Sequence, residues 1–474
     1  MRGRSIPVRF ARTALVLLAL LTAGCGGRDR PNILLLTLDT TRTDRFAFYG
    51  GDGGHVLDEF AREAIVFEHA YCQAPITKPS HASMLTSRYP RTHGVMGNQD
   101  DLPEEEPLLS EFLLARGYQT AAFTSVRLLT PKSGFGRGFE TFGEPPDDGR
   151  RSRPGRETIE ETLAWLRGRD RTRPFFLWVH LFDPHFPYKW EEGEEGFPPL
   201  PPYDGPVMSG KIQEILESER PLTAADRDRI HALYAGKVRY ADYWTGRLFD
   251  ALRSEGFWED TEIFVLSDHG EAFDHGVFLE HVNSLYQSAA RIVFLWKRSA
   301  GEGGGGRRIG APVQTLDLFP TVADLLGAGT PPTAEGRSLL PLLEGTEEPR
   351  RYAVIEEPPV TPDGAERIQE RNAAFFTPDY DDEPRPPRLS GERIAVTDGE
   401  WKYVFDTEGG EEFYRLSDDP EERINRIDGA DPDPLSRLRH ELFRWREKRP
   451  ARETAPAESL DPSTREMLEG LGYL

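Results

Sequence analysis

Cysteine is nearly absent from this chain of 474 residues, which holds only Cys25 and Cys72. Two cysteines cannot build a disulfide framework or a cysteine-rich zinc site. Positive charge is short as well: 58 lysines and arginines face 80 aspartates and glutamates, a formal net charge of −22. A surface that acidic repels nucleic acid, which removes DNA and RNA from the expected partners. It also repels an anionic substrate, unless a metal ion supplies strong local positive charge at the site. The apolar run at residues 14–21 is too short to span a bilayer, which takes about 20 residues. No internal repeat is present.

Hydrophobic residues make up 38% and charged residues 29% of the chain, the range of a folded soluble protein. The length suits one large α/β domain with a smaller one. The sequence divides into a signal peptide over residues 1–24, a tether over 25–30, a main domain over 31–346, an irregular linker over 347–391 and a C-terminal subdomain over 392–474.

The signal peptide follows from Arg2, Arg4, Arg9 and Arg12, the apolar run behind them, and the small residues Ala23 and Gly24 before Cys25. Small residues ending on cysteine resemble a bacterial lipobox, with Thr22 where leucine is commoner. Cys25 is then the lipidated first residue of an exported, periplasmic or cell-surface lipoprotein. Cys72 remains as a lone, packed thiol.

From Pro31 onward, apolar runs alternate with helical patterns, as in a mainly parallel sheet covered by helices. NILLLTL at 32–38 ends at Asp39, PFFLWVHL at 174–181 leads into Asp183 and His185, and TEIFVL at 261–266 ends in Ser267, Asp268 and His269. Open α/β sheets bind ligands beyond the carboxyl ends of their strands, so three strands bring acids and histidines to one edge. Helices are predicted at 108–116 with Gly117 as cap, 158–167, 224–253 and 317–326. Residues 347–391, rich in Pro, Asp, Glu and Arg, read as irregular. Short antiparallel strands follow at 393–396, 401–405 and 412–416, then a helix at 435–448.

Two carboxylates and an imidazole, Asp39, Asp268 and His269, form a candidate site for a divalent ion. Asp residues that merely cap helices are the alternative. Thr77, ahead of Pro79 and Ser80, stands where a helix start offers free N–H groups to a tetrahedral oxyanion, or where a hydroxyl simply caps the helix. His185 and His281 could protonate a leaving alkoxide. His55, His69, His231 and His275 are expected to be packed or surface residues.

The strings PNILLLTLDTTRTDRFAFYG, APITKPSHASMLTSRYPRTHGV, PFFLWVHLFDPHFPY, FVLSDHGEAF, LDLFPTVADLLG, GRSLLPLLEG, FYRLSDDPEERIN and GLGYL occur in this order. Together they resemble the motifs of the sulfatase family, in the alkaline phosphatase superfamily, over residues 31–474. The resemblance implies an alkaline-phosphatase-like α/β domain with a smaller C-terminal antiparallel sheet. It implies one bound divalent metal ion, Ca²⁺ first, with Mg²⁺, Mn²⁺ or Zn²⁺ as alternatives. Asp39, Asp268, His269 and Thr77 match ligand positions, and Thr40 stands where many sulfatases have a second Asp. His185 matches the leaving-group histidine, and His281 the place of a lysine.

The departures from the family pattern bear on the chemistry. Thr77 occupies the position of the Cys or Ser that sulfatases convert to formylglycine, and threonine cannot form that aldehyde. His81 replaces the signature Arg. Ser125 and Arg127 stand in for the Lys and His of the substrate-binding segment. The expected activity is hydrolysis of a small-molecule or glycan sulfate or phosphate ester, with Thr77 as nucleophile. A phosphoethanolamine-type transferase and an inactive binding protein are the alternatives.

One prediction concerns the anchor. Cys25→Ser should move the protein from the membrane fraction to the soluble fraction. Identical fractionation of variant and wild type would remove the lipoprotein assignment.

Overall fold

Seven consecutive residues, NILLLTL, form strand β1 (Asn32–Leu38), and all seven are buried. Burial of both faces is what a continuous apolar run predicts for a central parallel strand. The computed structural model describes residues 30–189, 193, 195–208, 211–212, 215, 222–299, 305–346, 351–360, 362–375, 386–450 and 468. The signal peptide, Cys25, most of the tether and GLGYL lie outside them.

The main sheet also contains β2 (Ile65–Phe67), β3 (Gln119–Thr124), β4 (Thr141–Gly143), β5 (Phe175–Leu181), β6 (Thr261–Ser267), β7 (Phe294–Lys297) and β8 (Arg308–Ile309). Their order across the sheet is β8-β2-β7-β6-β1-β5-β3-β4. β1 lies parallel between β5 and β6, while β7 runs antiparallel to both of its neighbours. The mixed, mainly parallel sheet is the expected one. Leu38 pairs with Leu181 on one side and with Ser267 on the other. The three central strands therefore end level, and their next residues emerge side by side.

Alternation along β1 feeds two cores. Ile33 and Leu35 join Phe176, Trp178, Phe264 and Leu266 on the face covered by α1 (Thr77–Thr86). Leu34 and Leu36 join Leu177, Val179, Ile263 and Val265 on the other face. That face is covered by α2 (Gly155–Gly168) and the 31-residue α3 (Ala224–Ser254). Thr223 and Asp226 form a reciprocal capping box at the start of α3. The helix predicted at 108–116 covers Leu109–Leu114, and the one at 317–326 is α4 (Leu318–Leu325). Gly117 lies past its helix with φ +82, a conformation that favours glycine. Cys72 is a buried free thiol.

Residues 347–391 are not wholly irregular. They contain strand β9 (Ala353–Glu357) and helix α5 (Pro362–Phe375). β9 pairs antiparallel with β10 (Arg393–Thr397), which continues to β11 (Trp401–Asp406) and β12 (Gly410–Arg415). The C-terminal sheet thus has four strands, one from the segment expected to link the domains. The flanking charges hide the strand in the sequence, but Ala353 and Ile355 alternate into the core shared with α1 while Val354 faces a third, separate core. Helix α6 (Pro432–Lys448) covers the sheet with Leu435, Leu438 and Leu442. Among the described residues no helix is long and apolar enough to cross a membrane.

A buried ion pair fastens this sheet to the main domain. Lys402 of β11 lies 2.7 Å from Glu422, and both side chains are fully buried. Lys402 also donates to the Leu285 carbonyl, and Glu422 accepts from the Gln287 amide at 2.7 Å. Removing one partner of such a pair leaves an uncompensated charge, at a cost of about 3–5 kcal/mol. Lys402→Met should therefore lower the urea unfolding midpoint measurably. An unchanged midpoint would show that the pair does not hold the sheet in place.

Candidate active site

The residue after β1 is Asp39, and the residue after β6 is Asp268. Level strand ends bring the two carboxylates together, fully buried. No lysine or arginine among the described residues forms an ion pair with either. Thr40 holds both. Its amide donates to Asp268 Oδ1 at 3.0 Å and its hydroxyl donates to Asp39 Oδ1 at 2.5 Å. It does so from a left-handed backbone, φ +52, that threonine rarely adopts. Tyr234 of α3 fixes this turn by donating its hydroxyl to the Thr40 carbonyl at 2.9 Å. Thr40 is thus a clamp on the two carboxylates.

Imidazoles surround the pair. His180, near the end of β5, has Nε2 at 3.1 Å from Asp39 Oδ2 and donates to it. Burial alone would raise the Asp39 pKa, but this hydrogen bond and the nearby imidazoles outweigh it and hold the group below the usual carboxylate range. Burial and the Asp39 charge push Asp268 well above that range. His269 donates Nδ1–H to the Gly270 carbonyl at 2.9 Å, so Nε2 is left with a lone pair 3.4 Å from Asp268 Oδ2. Burial keeps His269 neutral.

Thr77 is the first residue of α1, and Ile76 is its N-cap, so Thr77 does not take the capping position. Its hydroxyl lies 3.5 Å from His269 Nε2. Ser80, one turn on, donates to the Asp268 carbonyl at 2.7 Å and pins the helix start to the end of β6. His81 donates Nδ1–H back to the Thr77 carbonyl at 2.8 Å and accepts from the Thr37 hydroxyl at 3.2 Å. Burial takes its pKa down to about 3, so it is neutral. His81 therefore braces the helix start.

His185 and His281 face each other at 5.5 Å, and His281 stacks on His269 at 4.2 Å. Their surroundings divide their roles. His185 donates Nδ1–H to the Phe186 carbonyl at 2.7 Å and stacks on Phe182, and burial lowers its pKa. For His281, burial opposes the charge, but Glu271 Oε1 at 3.1 Å from Nδ1 raises the pKa above the ordinary value. Tyr188 donates to Glu271 Oε2 at 2.8 Å and orients that carboxylate. One imidazole is biased neutral and its neighbour is biased charged, the arrangement of an acid–base pair.

A divalent cation fits between the carboxylates. One ligand atom from each of Asp39, Asp268 and His269 lies within 4.8 Å of the others. Asp268 Oδ2 is buried without a hydrogen-bond partner among the described residues. Two adjacent buried carboxylates and an unprotonated imidazole nitrogen form a donor set that a cation satisfies. His81, His180 and Asp268 form a second close group. There His81 is bonded to Thr77 and Thr37, and His180 to Asp39.

Most residues singled out from sequence meet here, but two do not join the carboxylates. The Ser125 hydroxyl is bonded to Thr158 at 2.7 Å, and Arg127 pairs with Asp147 at 3.0 Å on the surface. His231 packs on Phe273, and His275 stacks on Tyr286. His180 and Glu271 were missed as site residues. His180 falls inside an apolar strand, where only its register with Thr37 reveals its place. Glu271 stands two residues past His269, which was a usable signal.

Residues 31–328 match the sulfatase family. A delta 4,5-hexuronate-2-O-sulfatase of Bacteroides thetaiotaomicron is 25% identical over 448 residues, covering 86% of this chain and 87% of that protein. An arylsulfatase of Clostridium perfringens is 25% identical over 478 residues, covering 85% of this chain and 91% of the other. The crystal structure of a phosphonate monoester hydrolase of Agrobacterium radiobacter superposes with a TM-score of 0.66 at 22% identity, covering 89% of this chain and 96% of that one. A family match over so much of the chain shows that it belongs to the sulfatase family, ester hydrolases of the alkaline phosphatase superfamily.

Proposed function

We propose that Thr77 is the nucleophile of a hydrolase that cleaves sulfate or phosphate esters, diesters included, through a covalent threonine ester. The observation that supports this is the Thr77 hydroxyl at the start of α1, 3.5 Å from His269 Nε2 and beside the buried carboxylates. Asp39, Asp268, His269 and Thr77 would hold one divalent cation. Hard carboxylates favour Ca²⁺, then Mg²⁺ or Mn²⁺, and the imidazole also admits Zn²⁺. Such a cation polarises the ester oxygens and lowers the pKa of the threonine hydroxyl.

In the first step Thr77, reacting as the alkoxide that a bound cation would stabilise once its proton has left to solvent, bonds through Oγ to sulfur or phosphorus, and the bond to the leaving oxygen breaks. His281, charged beside Glu271, gives its Nε2 proton to that oxygen. In the second step water attacks the same sulfur or phosphorus and releases Thr77 as the alkoxide. Neutral His185, anchored through Nδ1, takes the water proton at Nε2 and returns it to His281, whose ring lies 5.5 Å away, which restores the starting state. A formylglycine hydrate can expel sulfate by breaking its own C–O bond, but a threonine ester has no second hydroxyl to drive that cleavage. The second attack is therefore the slow step. Phosphodiesters and phosphonate esters suit it better than simple aryl sulfates, and the similarity of fold to a phosphonate monoester hydrolase agrees with this. The substrate is a small-molecule or glycan ester, met outside the cytoplasm by an enzyme anchored through Cys25.

Two experiments test the proposal. Thr77→Ala should lower kcat by roughly a thousandfold or more on para-nitrophenyl phosphonate, phosphodiester and sulfate esters. Activity within a few-fold of wild type would exclude Thr77, and fast aryl-sulfate turnover by wild type would overturn the substrate preference. Asp268→Ala should lose most of the bound divalent metal, measured by elemental analysis after dialysis, because a ligand and the partner of Asp39 both go. Unchanged metal content would refute the ligand set.

A further inference from the structure

A cleft of about 520 Å³ opens beside His185, between the loop leading into α2, the loop after β5, and α3. Its character is opposite to that of the chain. Arg150, Arg151, Arg153, Arg156, Lys189 and Lys237 line it, against two carboxylates, Glu157 and Asp183. Four of the six are already paired, Arg150 with Asp148 and Glu157, Arg153 with Glu161, Arg156 with Glu160 and Lys237 with Asp183, so the cleft offers donors held in ion pairs rather than a bare positive field.

Two of these cations are built into the wall. Arg153 is 7% exposed. Its Nε donates to the Thr124 carbonyl and one terminal nitrogen pairs with Glu161, while Nη2 is buried without a partner among the described residues. A buried guanidinium nitrogen with no acceptor carries a desolvation cost that an incoming oxyanion relieves. Lys237 is also 7% exposed, and its ammonium sits over the rings of Phe197 and Tyr240 at about 5 Å. It lies 3.4 Å from Asp183, whose carboxylate accepts from the first amide of α2 at 3.0 Å. A Cβ on Gly155 would meet Asp183 Oδ2 at 2.5 Å, so only glycine permits this approach. Asp183 is committed on both sides, and it precedes His185 by two residues.

Resting on the ester hydrolysis proposed above, we propose that this cleft binds a second anionic group of the substrate, a carboxylate or sulfate on a glycan, through Arg153 and Lys237. The volume lies within the range of small-molecule sites, and Phe182, Phe186 and Phe197 add apolar surface to the lining. The reacting ester and the second anion would then lie on the two sides of His185.

Calorimetry with disaccharides that lack the reacting ester tests the cleft separately from catalysis. Three probes are needed: a hexuronate disaccharide, the same sugar with its carboxylate methylated, and the methylated sugar carrying a sulfonate, which stands in for a sulfate but is not a cleavable ester. Wild type should bind one of the charged probes at least about tenfold more tightly than the neutral one, the scale of one charge-assisted contact. The tighter of the two identifies the group recognised. Arg153→Gln should shrink the preference to within about threefold. If Arg153→Gln fails to fold, Arg151→Glu at the rim should cut affinity for the charged probe and weaken its dependence on salt. Equal binding of charged and neutral probes by wild type, or a preference unchanged in the variants, would overturn the subsite. Thr77→Ala activity within a few-fold of wild type, with the binding preference intact, would instead count against the Thr77 mechanism alone.

Discussion

Two carboxylates at the ends of neighbouring parallel strands set the terms for everything around them. Asp39 and Asp268 are fully buried and close together, and folding cannot leave both ionised without a compensating charge. Among the described residues the groups that meet them are imidazoles, backbone amides and one hydroxyl. The Thr40 and His269 amides hold Asp268 Oδ1, and the Thr40 hydroxyl and His180 hold Asp39. These bonds orient the oxygens without neutralising them. A cation that binds only the folded arrangement adds its binding free energy to folding, so the site and the stability of the sheet edge are linked.

The same shortage of cations at the centre makes the neighbouring groups intelligible. His185 and His281 would resemble each other in isolation. Glu271, steadied by Tyr188, favours charge on one, while burial and a carbonyl partner favour the neutral form of the other. Arginines and lysines are kept outside this centre and gathered on the wall beyond His185. The centre thus gathers carboxylates and imidazoles, and the wall beyond His185 carries guanidinium and ammonium groups.

Much of this was legible where function depends on local sequence. An apolar run that ends in Asp, or in Ser-Asp-His, announces a buried strand that brings its acids to the sheet edge, and β1 and β6 do so. What escaped depends on register or on packing. His180 acts because it is level with Thr37 across a strand pair, a relation that no spacing along one strand reveals. Thr40 was placed among the ligands by position, but its left-handed turn directs it to the carboxylates. On local sequence Thr77 suits the cap of a helix, but Ile76 holds that position. β9 was hidden because its apolar residues are few and set among charges, and its identity comes from pairing with β10. Arg127 occupies a motif position in sequence yet turns to Asp147 in space.

The central place of β1 governs how the molecule can be made. One neighbour, β6, lies more than two hundred positions later, as the contact of Thr40 with Asp268 across 228 residues shows. Until residues 261–267 have been synthesised and docked, β1 has a bare edge and two greasy faces. Closing so long a loop before the contact repays its entropy makes folding slow. A chain halted short of that strand would have an unpaired hydrophobic edge, the kind of surface on which chains aggregate. The last of these three strands to appear therefore both covers the bare edge of β1 and brings Asp268 beside Asp39.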